Sequence, residues 1–417
     1  MSLSQERKLR LIFVCICLLF LFSFLIISYL SEKIESEVLR DYSSYKSTLE
    51  SLRTLPYLTW CEIDEENIGK VGVTKYEPGK SFRGVNLYYT ENKPGGYFFD
   101  MDGNILHRFI DKRKQVGNWQ IIKSYKDNDF LVIVQRESLF MIDWDSNVKW
   151  ELKGTFHHDI AVTENGDIYV LTNRKAEVKS LSPTEPIRDD FLVTLTKDGK
   201  IKNYISFIKM FLQDQKLLEL ALKREEKRYD FGKDAWDFFH TNSIEIIDRD
   251  IYFDGKRLFR KGDVLFSVRH QNLIIVVNIE EEKIIWSWGP EELDFAHHAT
   301  LLDNGNILVF DNGFHKGYSR VLEINPGNGE IVWKYRTKPA RDFFSPTRGS
   351  AQRLDNGNTL IAESDKGRVF EITPEGEVVW EFYNPEIQIR KNQKNRRATI
   401  YRMMRITDPE RYPGLKQ

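Results

Sequence analysis

The chain has 417 residues, of which 41% are hydrophobic and 13% aromatic, enough for a large core in one repeat domain or in two ordinary domains. Lysine and arginine (61 residues) almost balance aspartate and glutamate (62 residues). This balance leaves no global field that would attract nucleic acid, so we expect no nucleic-acid partner.

An uncharged segment near the N-terminus predicts a membrane anchor. Residues 11–30 carry no charged side chain, and as a helix they would span roughly 30 Å, the thickness of the hydrocarbon core of a bilayer. A cleaved signal peptide would have an apolar region of about 7–15 residues and a cleavage site with small residues, whereas residues 31–35 read Ser-Glu-Lys-Ile-Glu. We therefore predict an uncleaved, single-pass signal anchor. Basic residues in segment 1–10 place that segment in the cytoplasm and the rest of the chain on the outer, periplasmic or extracellular side.

Residues 31–83 are expected to form a helical stalk and a linker. As far as about residue 56, apolar side chains recur at steps of three and four residues among charged ones, the spacing of an amphipathic helix. The apolar face of this helix needs a cover. A second copy of the stalk would provide it and make the protein a homodimer, and packing onto the chain's own outer domain is the alternative.

From residue 84 the pattern changes to short apolar strands separated by polar turns. Asp-Gly, Asn-Gly or Glu-Gly between two alternating strands is typical of a β-hairpin. Two hairpins make a four-stranded unit, and the last two units lie about 48 residues apart, within the range expected of propeller blades. Six segments have this form, several of them ending on tryptophan, namely residues 97–109, 139–152, 192–207, 274–288, 321–335 and 369–382.

This repeat predicts an all-β fold, a six-bladed β-propeller over residues 84–385, followed by a C-terminal tail at 386–417. A β-sandwich, the alternative all-β fold, would not explain a repeat of this length. One insertion interrupts the series at about 205–235, where the apolar spacing indicates helix. Because it precedes His240, it could be a lid, a dimer contact or a structural cap, and the sequence does not distinguish between them.

Three histidines occupy the same place in three of the repeated units. His158, His240 and His297 each begin an apolar strand that is followed by a turn and a second strand. In a blade, the start of the first strand and the end of the second lie at the same mouth of the central channel, where convergent polar groups are typical of a ligand site. Their partners at that mouth would be Asn173, Arg269 and Asn312, with Gly349 and Ser364 in the sixth unit and with His157, His270 and His298 adjacent.

Such a set of residues suits three chemistries. Imidazoles with a carboxylate could hold a metal ion, since neutral imidazole binds zinc, copper and iron. A histidine could instead act as a nucleophile while the remaining cations stabilise an anionic group in transfer. The third chemistry is anion binding without a reaction. Arg269 favours an anion over a metal, and because the sequence has no phosphate loop and no His-Glu-x-x-His motif, we expect no cofactor and no metal.

At these residues the chain resembles the bacterial arylsulfotransferases, the aryl-sulfate-dependent sulfotransferases built on six-bladed propellers. The resemblance covers residues 84–385. It is most specific in His240-Thr-Asn-Ser and in the run from Leu301-Leu-Asp-Asn-Gly to Phe310-Asp-Asn-Gly. Further matching segments are residues 84–92, 97–104, 157–160, 267–272 and 319–320.

The resemblance implies transfer of a sulfuryl group from a phenolic sulfate ester to a phenol, through a sulfated histidine and without an adenylyl-sulfate donor. A non-catalytic propeller that binds an anionic ligand and a histidine-metal enzyme are the alternatives. His297 resembles the family's nucleophile, and one of the flanking histidines would transfer the proton. The catalytic residues it implies are His297, His240, Arg269 and His158, the last favoured over His157 by register, and the substrate-binding residues are Asn242, His157, His298, Asn312 and Arg320.

Overall fold

The computed structural model describes residues 59–114, 117–126, 128–223, 235–391 and 393–416. The predicted signal anchor at 11–30 and the predicted stalk as far as residue 58 lie outside these residues. Within the part of the chain that the structure describes, no helix is both long and apolar enough to cross a membrane.

The described residues form mostly strands, which join into six antiparallel sheets of at least four strands each. In chain order the strands are β1 (Trp60–Glu62), β2 (Gly72–Tyr76), β3 (Val85–Tyr89), β4 (Gly96–Phe99), β5 (Ile105–Phe109), β6 (Trp119–Ser124), β7 (Phe130–Val134), β8 (Ser138–Ile142), β9 (Val148–Lys153), β10 (His157–Val162), β11 (Ile168–Ala176), β12 (Ile187–Leu195), β13 (Ile201–Ser206), β14 (Thr241–Ile246), β15 (Ile251–Phe253), β16 (Lys256–Phe259), β17 (Val264–Val268), β18 (Leu273–Asn278), β19 (Lys283–Trp288), β20 (His298–Leu301), β21 (Ile307–Asp311), β22 (Arg320–Ile324), β23 (Ile331–Tyr335), β24 (Ser350–Arg353), β25 (Thr359–Glu363), β26 (Arg368–Ile372), β27 (Val378–Tyr383), β28 (Ile387–Gln388), β29 (Arg396–Ala398) and β30 (Arg402–Ile406).

Each of the six sheets is one blade of a propeller. From the centre outward, blades 1 to 6 have the strand orders β30-β3-β4-β5, β6-β7-β8-β9, β10-β11-β12-β13, β14-β17-β18-β19, β20-β21-β22-β23 and β24-β25-β26-β27-β2. The inner strands contact one another in sequence from β6 through β10, β14, β20 and β24 to β30, and they surround a central channel. The all-β prediction is therefore confirmed, and the six sheets correspond to the six predicted blades.

The propeller extends beyond the predicted boundaries at residues 84 and 385. Strand β30 lies in the predicted tail, yet it pairs with β3 and supplies the inner strand of blade 1. Strand β2 lies in the predicted linker and pairs with β27 as a fifth strand of blade 6. Neither strand has its hairpin partner next to it in the sequence, so the turn motifs that mark the other blades are missing here. Both chain ends of the described region thus hold the ring closed.

The tryptophans that end several repeats join neighbouring blades. The indole N–H of each donates to a backbone carbonyl in the last turn of the next blade, at 2.9–3.1 Å. His107 occupies the same place in blade 1, where its Nε2 lies 2.9 Å from the carbonyl oxygen of Trp144. This recurring bond explains why the repeats end on tryptophan. The donor and acceptor pairs are Trp150–Lys197, Trp286–Pro326, Trp333–Pro374 and Trp380–Met101.

Two helices lie in the predicted insertion, α1 (Phe207–Gln213) and α2 (Gln215–Lys223), and residues 224–234 lie outside the described part of the chain. Ser206 caps α1 by accepting a hydrogen bond from the N–H of Lys209 at 3.1 Å. The buried face of α1 packs on blade 4 and on the segment before it, with Phe211 and Phe239 rings 4.9 Å apart. The helix therefore supports the residue next to His240.

Candidate active site at the channel mouth

The three in-register histidines line one pocket at the mouth of the channel. The ring centroids of His158 and His240 lie 4.9 Å apart, and those of His158 and His297 lie 6.1 Å apart. Arg269 lines the same pocket from a short 3₁₀ helix that follows β17. The pocket is a cavity of about 30 Å³, which is large enough for a group the size of one or two water molecules.

His240 reaches the pocket from a backbone position that differs from the one the sequence alignment predicts. The strand ladders of blades 4 and 5 align Asn242, and not His240, with His297. His240 stands two residues earlier, where blade 5 has Phe295, and both residues have left-handed backbone with φ of 51° and 62°. His158 is left-handed as well, with φ of 61°. Because this conformation is costly for residues other than glycine, its occurrence at two site histidines indicates backbone shaped for the site.

His297 is held by contacts on two sides. Its Nδ1 lies 3.0 Å from the side-chain amide of Asn242, and its backbone N–H donates to the carbonyl oxygen of Phe310 at 3.0 Å. The ring of Tyr401 meets it edge to face, with centroids 5.9 Å apart. Its Nε2 is buried and has no hydrogen-bond partner among the described residues. One ring nitrogen therefore orients the imidazole and the other is available for a ligand.

Asp237 and two histidines form a hydrogen-bonded network beside the pocket. His240 Nδ1 lies 2.7 Å from the Oδ2 atom of Asp237, so the carboxylate orients the ring. His270 Nδ1 donates to the backbone carbonyl of Asp237 at 2.6 Å, because a carbonyl oxygen only accepts. The other ring nitrogen of His270 then accepts from Arg269 Nη1 at 3.0 Å. The network links the orientation of His240 to that of Arg269.

The same network contains the candidate metal ligands. Asp237, His240 and His270 offer ligand atoms that lie within 4.8 Å of one another. Both ring nitrogens of His270 already make hydrogen bonds, and one of them faces the guanidinium of Arg269, whose charge opposes a metal cation. The arrangement therefore fits a hydrogen-bonded network better than a metal centre.

Burial favours the neutral form of the site histidines. Loss of solvent lowers the pKa of His297 well below its usual value, and the charge of Arg269 lowers it further. Burial also lowers the pKa of His158, and the charge of neighbouring His240 lowers it further. The pKa of His240 is lowered by burial as well, but here the carboxylate of Asp237 opposes the shift. Among these three imidazoles, His240 has a carboxylate partner that can stabilise its protonated form.

His157 lies behind His158 and does not line the pocket. The Nδ1 atoms of the two rings are 2.7 Å apart, so one ring donates to the other. His157 Nε2 lies 3.8 Å from the carboxylate of Asp190, which in turn accepts from the backbone N–H of Thr241 at 2.8 Å. His157 therefore contacts His158 and not the pocket, and its substrate-binding role stays a prediction.

Four more of the predicted substrate-binding residues do not line this pocket, and of these Asn242 contacts it only through His297. His298 faces a second cavity further along the channel, because successive strand residues point to opposite sides. Asn312 donates through its amide to two backbone carbonyls, one of them that of Arg348, at 2.9 Å. Arg320 pairs with Asp311, with Nε 2.7 Å from a carboxylate oxygen. Asn312 thus contacts the backbone of the loop that carries Arg348, which lines the pocket.

Sequence reasoning missed several residues of the pocket. Arg348 precedes Gly349, which stands in blade 6 where blade 5 has His297, so the register contained a signal for it. Its guanidinium pairs with Glu91 at 2.5 Å and with Asp365 at 3.1 Å. Tyr401 belongs to the segment that was predicted to be a tail and gave no such signal. The further lining residues are Glu91, Gln120, Gln135, Arg136 and Thr347.

Solved structures with a similar arrangement of strands have low sequence identity to this chain. A protein of unknown function from Bacteroides caccae has a TM-score of 0.48 at 13% identity, covering 72% of this chain and 93% of its own. A streptogramin B lyase has a TM-score of 0.45 at 12% identity, and the match covers 83% of this chain and 97% of the lyase chain. The β-propeller domain of Cps50 (Swd1) from Myceliophteria thermophila has a TM-score of 0.44 at 11% identity, covering 76% and 87%. At this level the similarity carries no inference about function.

The sequence itself identifies the family. Comparison with curated proteins finds no significant match. The family model described as arylsulfotransferase (ASST) matches residues 151–385, more than half of the chain, and this range contains His158, His240, Arg269 and His297. The suspected resemblance is confirmed, and the chain belongs to the arylsulfotransferase (ASST) family.

Proposed function

We propose that the chain moves a sulfuryl group from a phenolic sulfate ester to a phenol, and that His297 carries the group between the two half-reactions. The state of His297 supports this most strongly. Burial lowers its pKa well below the usual value, so the ring is neutral near pH 7, and its Nε2 has no hydrogen-bond partner in the described part of the chain. A neutral imidazole nitrogen has the lone pair that attack on sulfur requires.

Asn242 would set the tautomer of His297. For Nε2 to present a lone pair, Nδ1 has to carry the ring proton, and Nδ1 then needs an acceptor. The side-chain amide of Asn242 lies 3.0 Å from Nδ1, and turning the amide over places its oxygen there. Asn242 would therefore orient the nucleophile.

The two half-reactions balance without a further reactant. In the first, the lone pair of His297 Nε2 forms an N–S bond, the S–O bond to the phenol breaks, and protonated His240 gives its proton to the departing oxygen. In the second, His240 takes the proton of the acceptor phenol, the phenol oxygen forms a new S–O bond, and the N–S bond breaks with its electron pair returning to Nε2. The enzyme regains its starting state.

His240 is the flanking histidine best suited to transfer the proton. Its Nδ1 contacts the Asp237 carboxylate at 2.7 Å, whereas the Nδ1 of His158 contacts only another imidazole. Burial raises the pKa of Asp237, but His240 and His270 outweigh it and hold that pKa low, so the carboxylate is charged. A charged carboxylate stabilises the imidazolium form of His240 when it holds the proton.

The shape and charge of the pocket fit the sulfuryl group rather than the whole ester. A cavity of about 30 Å³ accommodates one or two water-sized oxygen atoms and no aromatic ring. Arg269, Arg136 and Arg348 all line it and would stabilise negative charge on those oxygens in the transition state. The aromatic part of the ester would lie at the mouth, where Gln135 and Arg136 are exposed.

A chromogenic aryl sulfate tests the proposal. We expect the purified chain to release the coloured phenol, faster when a phenol acceptor is added, and we expect His297→Ala to abolish the release. His107→Gln is the matched control, because His107 is outside the pocket and joins two blades. Release that persists in His297→Ala would contradict the proposal. Release abolished by a chelator would favour a histidine-metal enzyme, and saturable ester binding without turnover would favour an anion-binding propeller.

We further propose that residues 11–30 anchor the protein in a membrane and that the propeller faces the outer side. The support is the uncharged length of this segment and the basic residues before it. Protease added to intact spheroplasts should cleave the propeller and leave segment 1–10 protected. Protection of the propeller would contradict this orientation.

A further inference from the structure

A second cavity lies in the central channel, adjacent to the pocket of His297 and separate from it. Its volume is about 250 Å³. Three inner segments contribute successive residues to the two cavities, one residue to each, because neighbouring residues of a strand point to opposite sides. These pairs are His158 and Asp159, His297 and His298, and Tyr401 and Arg402. The second cavity takes no part in the proposed sulfuryl transfer.

Two buried side chains that line this second cavity, called the chamber below, have polar atoms without a hydrogen-bond partner among the described residues. The Nη1 atom of Arg402 lies 3.1 Å from both carboxylate oxygens of Asp159, while its Nη2 atom has no hydrogen-bond partner among the described residues. The Nδ1 atom of His298 also has none there. The side chain of Arg402 is 5% exposed and His298 is 8% exposed. Buried polar atoms are nearly always hydrogen-bonded, so these two atoms point to a bound group.

One of the two atoms requires a hydrogen-bond acceptor and the other a hydrogen-bond donor. A guanidinium N–H only donates, so Arg402 Nη2 needs an acceptor. Burial lowers the pKa of His298 well below its usual value, and the ring is neutral. The backbone of Ala351 opposes this shift, and with the ring proton placed on Nε2, Nδ1 is free to act as an acceptor. The ligand must therefore offer an acceptor to Arg402 and a hydroxyl or similar donor to His298.

The charges of the lining favour an anionic acceptor. Lys123 and Arg402 are the cations closest to His298, and both lower its pKa. The carboxylate of Asp159 offsets one of them, and it also accepts from the backbone N–H of Ile160 at 2.9 Å. Burial raises the pKa of Glu245 to about 7, so this carboxyl is partly uncharged at neutral pH. One positive charge is left without a full counter-charge.

The rest of the lining combines apolar residues with the polar residues Thr300, Ser350 and Gln352, of which Gln352 bonds to the backbone of Arg405. Arg353 pairs with Glu323 at 2.7 Å and adds no net charge. The remaining wall would pack on a hydrocarbon body, and the volume admits one of the size of a benzene ring. Its apolar side chains are Ile244, Leu301, Leu302, Ala351, Met403 and Met404.

We infer that this chamber binds a small hydroxy acid with an apolar body, such as a hydroxybenzoate. Its carboxylate accepts from Arg402 and Lys123, its hydroxyl donates to His298 Nδ1, and its ring packs on the apolar wall. This site is independent of the sulfuryl-transfer pocket, and its occupancy does not require that the chain transfers sulfuryl groups.

Calorimetric titration of the full chain in detergent micelles tests this inference. The probes are 3- and 4-hydroxybenzoate, with benzoate and phenol as ligands that each lack one group. We expect one hydroxybenzoate per chain, bound at least tenfold more tightly than benzoate or phenol. Lys123→Met should lower the affinity for the hydroxybenzoates and for benzoate at least tenfold. His298→Phe should bring hydroxybenzoate to the affinity of benzoate, because only the hydroxyl loses its partner.

Two controls locate the site. Lys334→Met removes an exposed lysine on β23 and should leave the affinity unchanged. Arg269→Met removes a cation from the other pocket and should also leave it unchanged. Loss of binding in Arg269→Met would place the acid in the transfer pocket and overturn the inference. Absence of saturable binding, or equal affinity for all four ligands, would show a chamber that holds water only.

Discussion

Arg269 combines a packing role with a charge that faces the pocket. Its guanidinium carbon lies 4.4 Å from the centroid of the Phe295 ring, and the residue is only 1% exposed. A methionine at this position keeps an apolar chain on Phe295 and removes the charge. Arg269 would therefore act mainly on developing negative charge rather than on the fold.

We expect Arg269→Met to reduce the turnover of an aryl sulfate by about 100-fold or more, the usual effect of removing one group that stabilises a transition-state oxyanion. The denaturant midpoint should change little by comparison. Steady-state kinetics and urea unfolding on the same preparation check both statements. A variant that is folded and retains wild-type turnover would remove Arg269 from the mechanism.

Asp237→Asn tests the assignment of His240 as the proton donor. The carboxylate is replaced by a neutral group of the same size, so His240 loses its ionic partner at 2.7 Å. Turnover should fall by about 100-fold for esters of poorly acidic phenols, the range of general acid catalysis. Esters of nitrophenols should be affected much less, because a nitrophenolate departs without a proton. Equal losses for both esters would indicate a structural role, and Asp303→Asn, at an exposed turn, is the control.

At the scale of whole elements, bonds between adjacent blades hold the ring together. The indole N–H of Trp380 donates at 2.9 Å to the carbonyl of Met101, which joins the last blade to the first in a buried position. Trp333 makes the same bond at 3.1 Å between blades 5 and 6, but in an exposed position. The two bonds therefore differ mainly in their access to water.

Trp380→Phe should lower the free energy of unfolding by about 2–3 kcal/mol, since it leaves a buried carbonyl without its donor and removes ring volume. Trp333→Phe should cost less than about 1 kcal/mol, because water can replace the lost donor. Urea unfolding of both variants provides the comparison. Equal costs would mean that burial of the bond does not matter.

The blades could be predicted because their signals are local. A hairpin and its Asp-Gly or Asn-Gly turn lie within a dozen residues, as at Gly305 and Gly357, whose φ values of 83° and 89° the turns require. Strand β30 was missed because its partner β3 lies at the other end of the described chain. Long-range pairing leaves no turn motif in the sequence.

The site was predictable to the extent that it follows the strand register. His158 and His297 both line the pocket, as expected from the sequences of their two units, which align without a gap. The offset of His240 was not visible, because a bulge and a left-handed residue change the register without changing the composition. His298 was predicted to bind substrate beside His297, whereas it lines the second cavity, because neighbouring residues of a strand point to opposite sides.

At the scale of the whole molecule, the presence of several buried histidines makes the stability of the fold depend on pH. Burial lowers the pKa of six of them, so the folded chain holds protons on these rings less tightly than the unfolded chain does. The unfolded chain protonates histidine near pH 6.5 and then binds more protons than the folded chain, which reduces stability as the pH falls. Buried carboxyls oppose this by binding protons in the folded state. Three have large shifts, namely Asp190, whose pKa is well above its usual value, and Glu245 and Asp189, with pKa values of about 7 and about 6. Burial also raises the pKa of Glu91, Asp263 and Asp311.

Because histidine titrates in this pH range in the unfolded chain, and the six buried histidines outnumber the three carboxyls with large shifts, we expect the melting temperature to fall as the pH decreases from about 7 to about 5.5, with a loss of roughly 1.4 kcal/mol per pH unit for each unopposed proton. Thermal unfolding across this range measures the slope. Glu245→Gln removes one opposing group and should make the loss steeper. A melting temperature that rises over the same interval would contradict the protonation states described for the site.

The central claim is that His297 forms a covalent intermediate, and it can be observed directly. The full chain is incubated with an aryl sulfate in the absence of an acceptor, digested at alkaline pH and analysed by peptide mass spectrometry. We expect the mass of one SO₃ group on the peptide that contains His297 and its disappearance when a phenol is added before digestion. Turnover without this modification, or modification of His158 or His240 instead, would contradict the account.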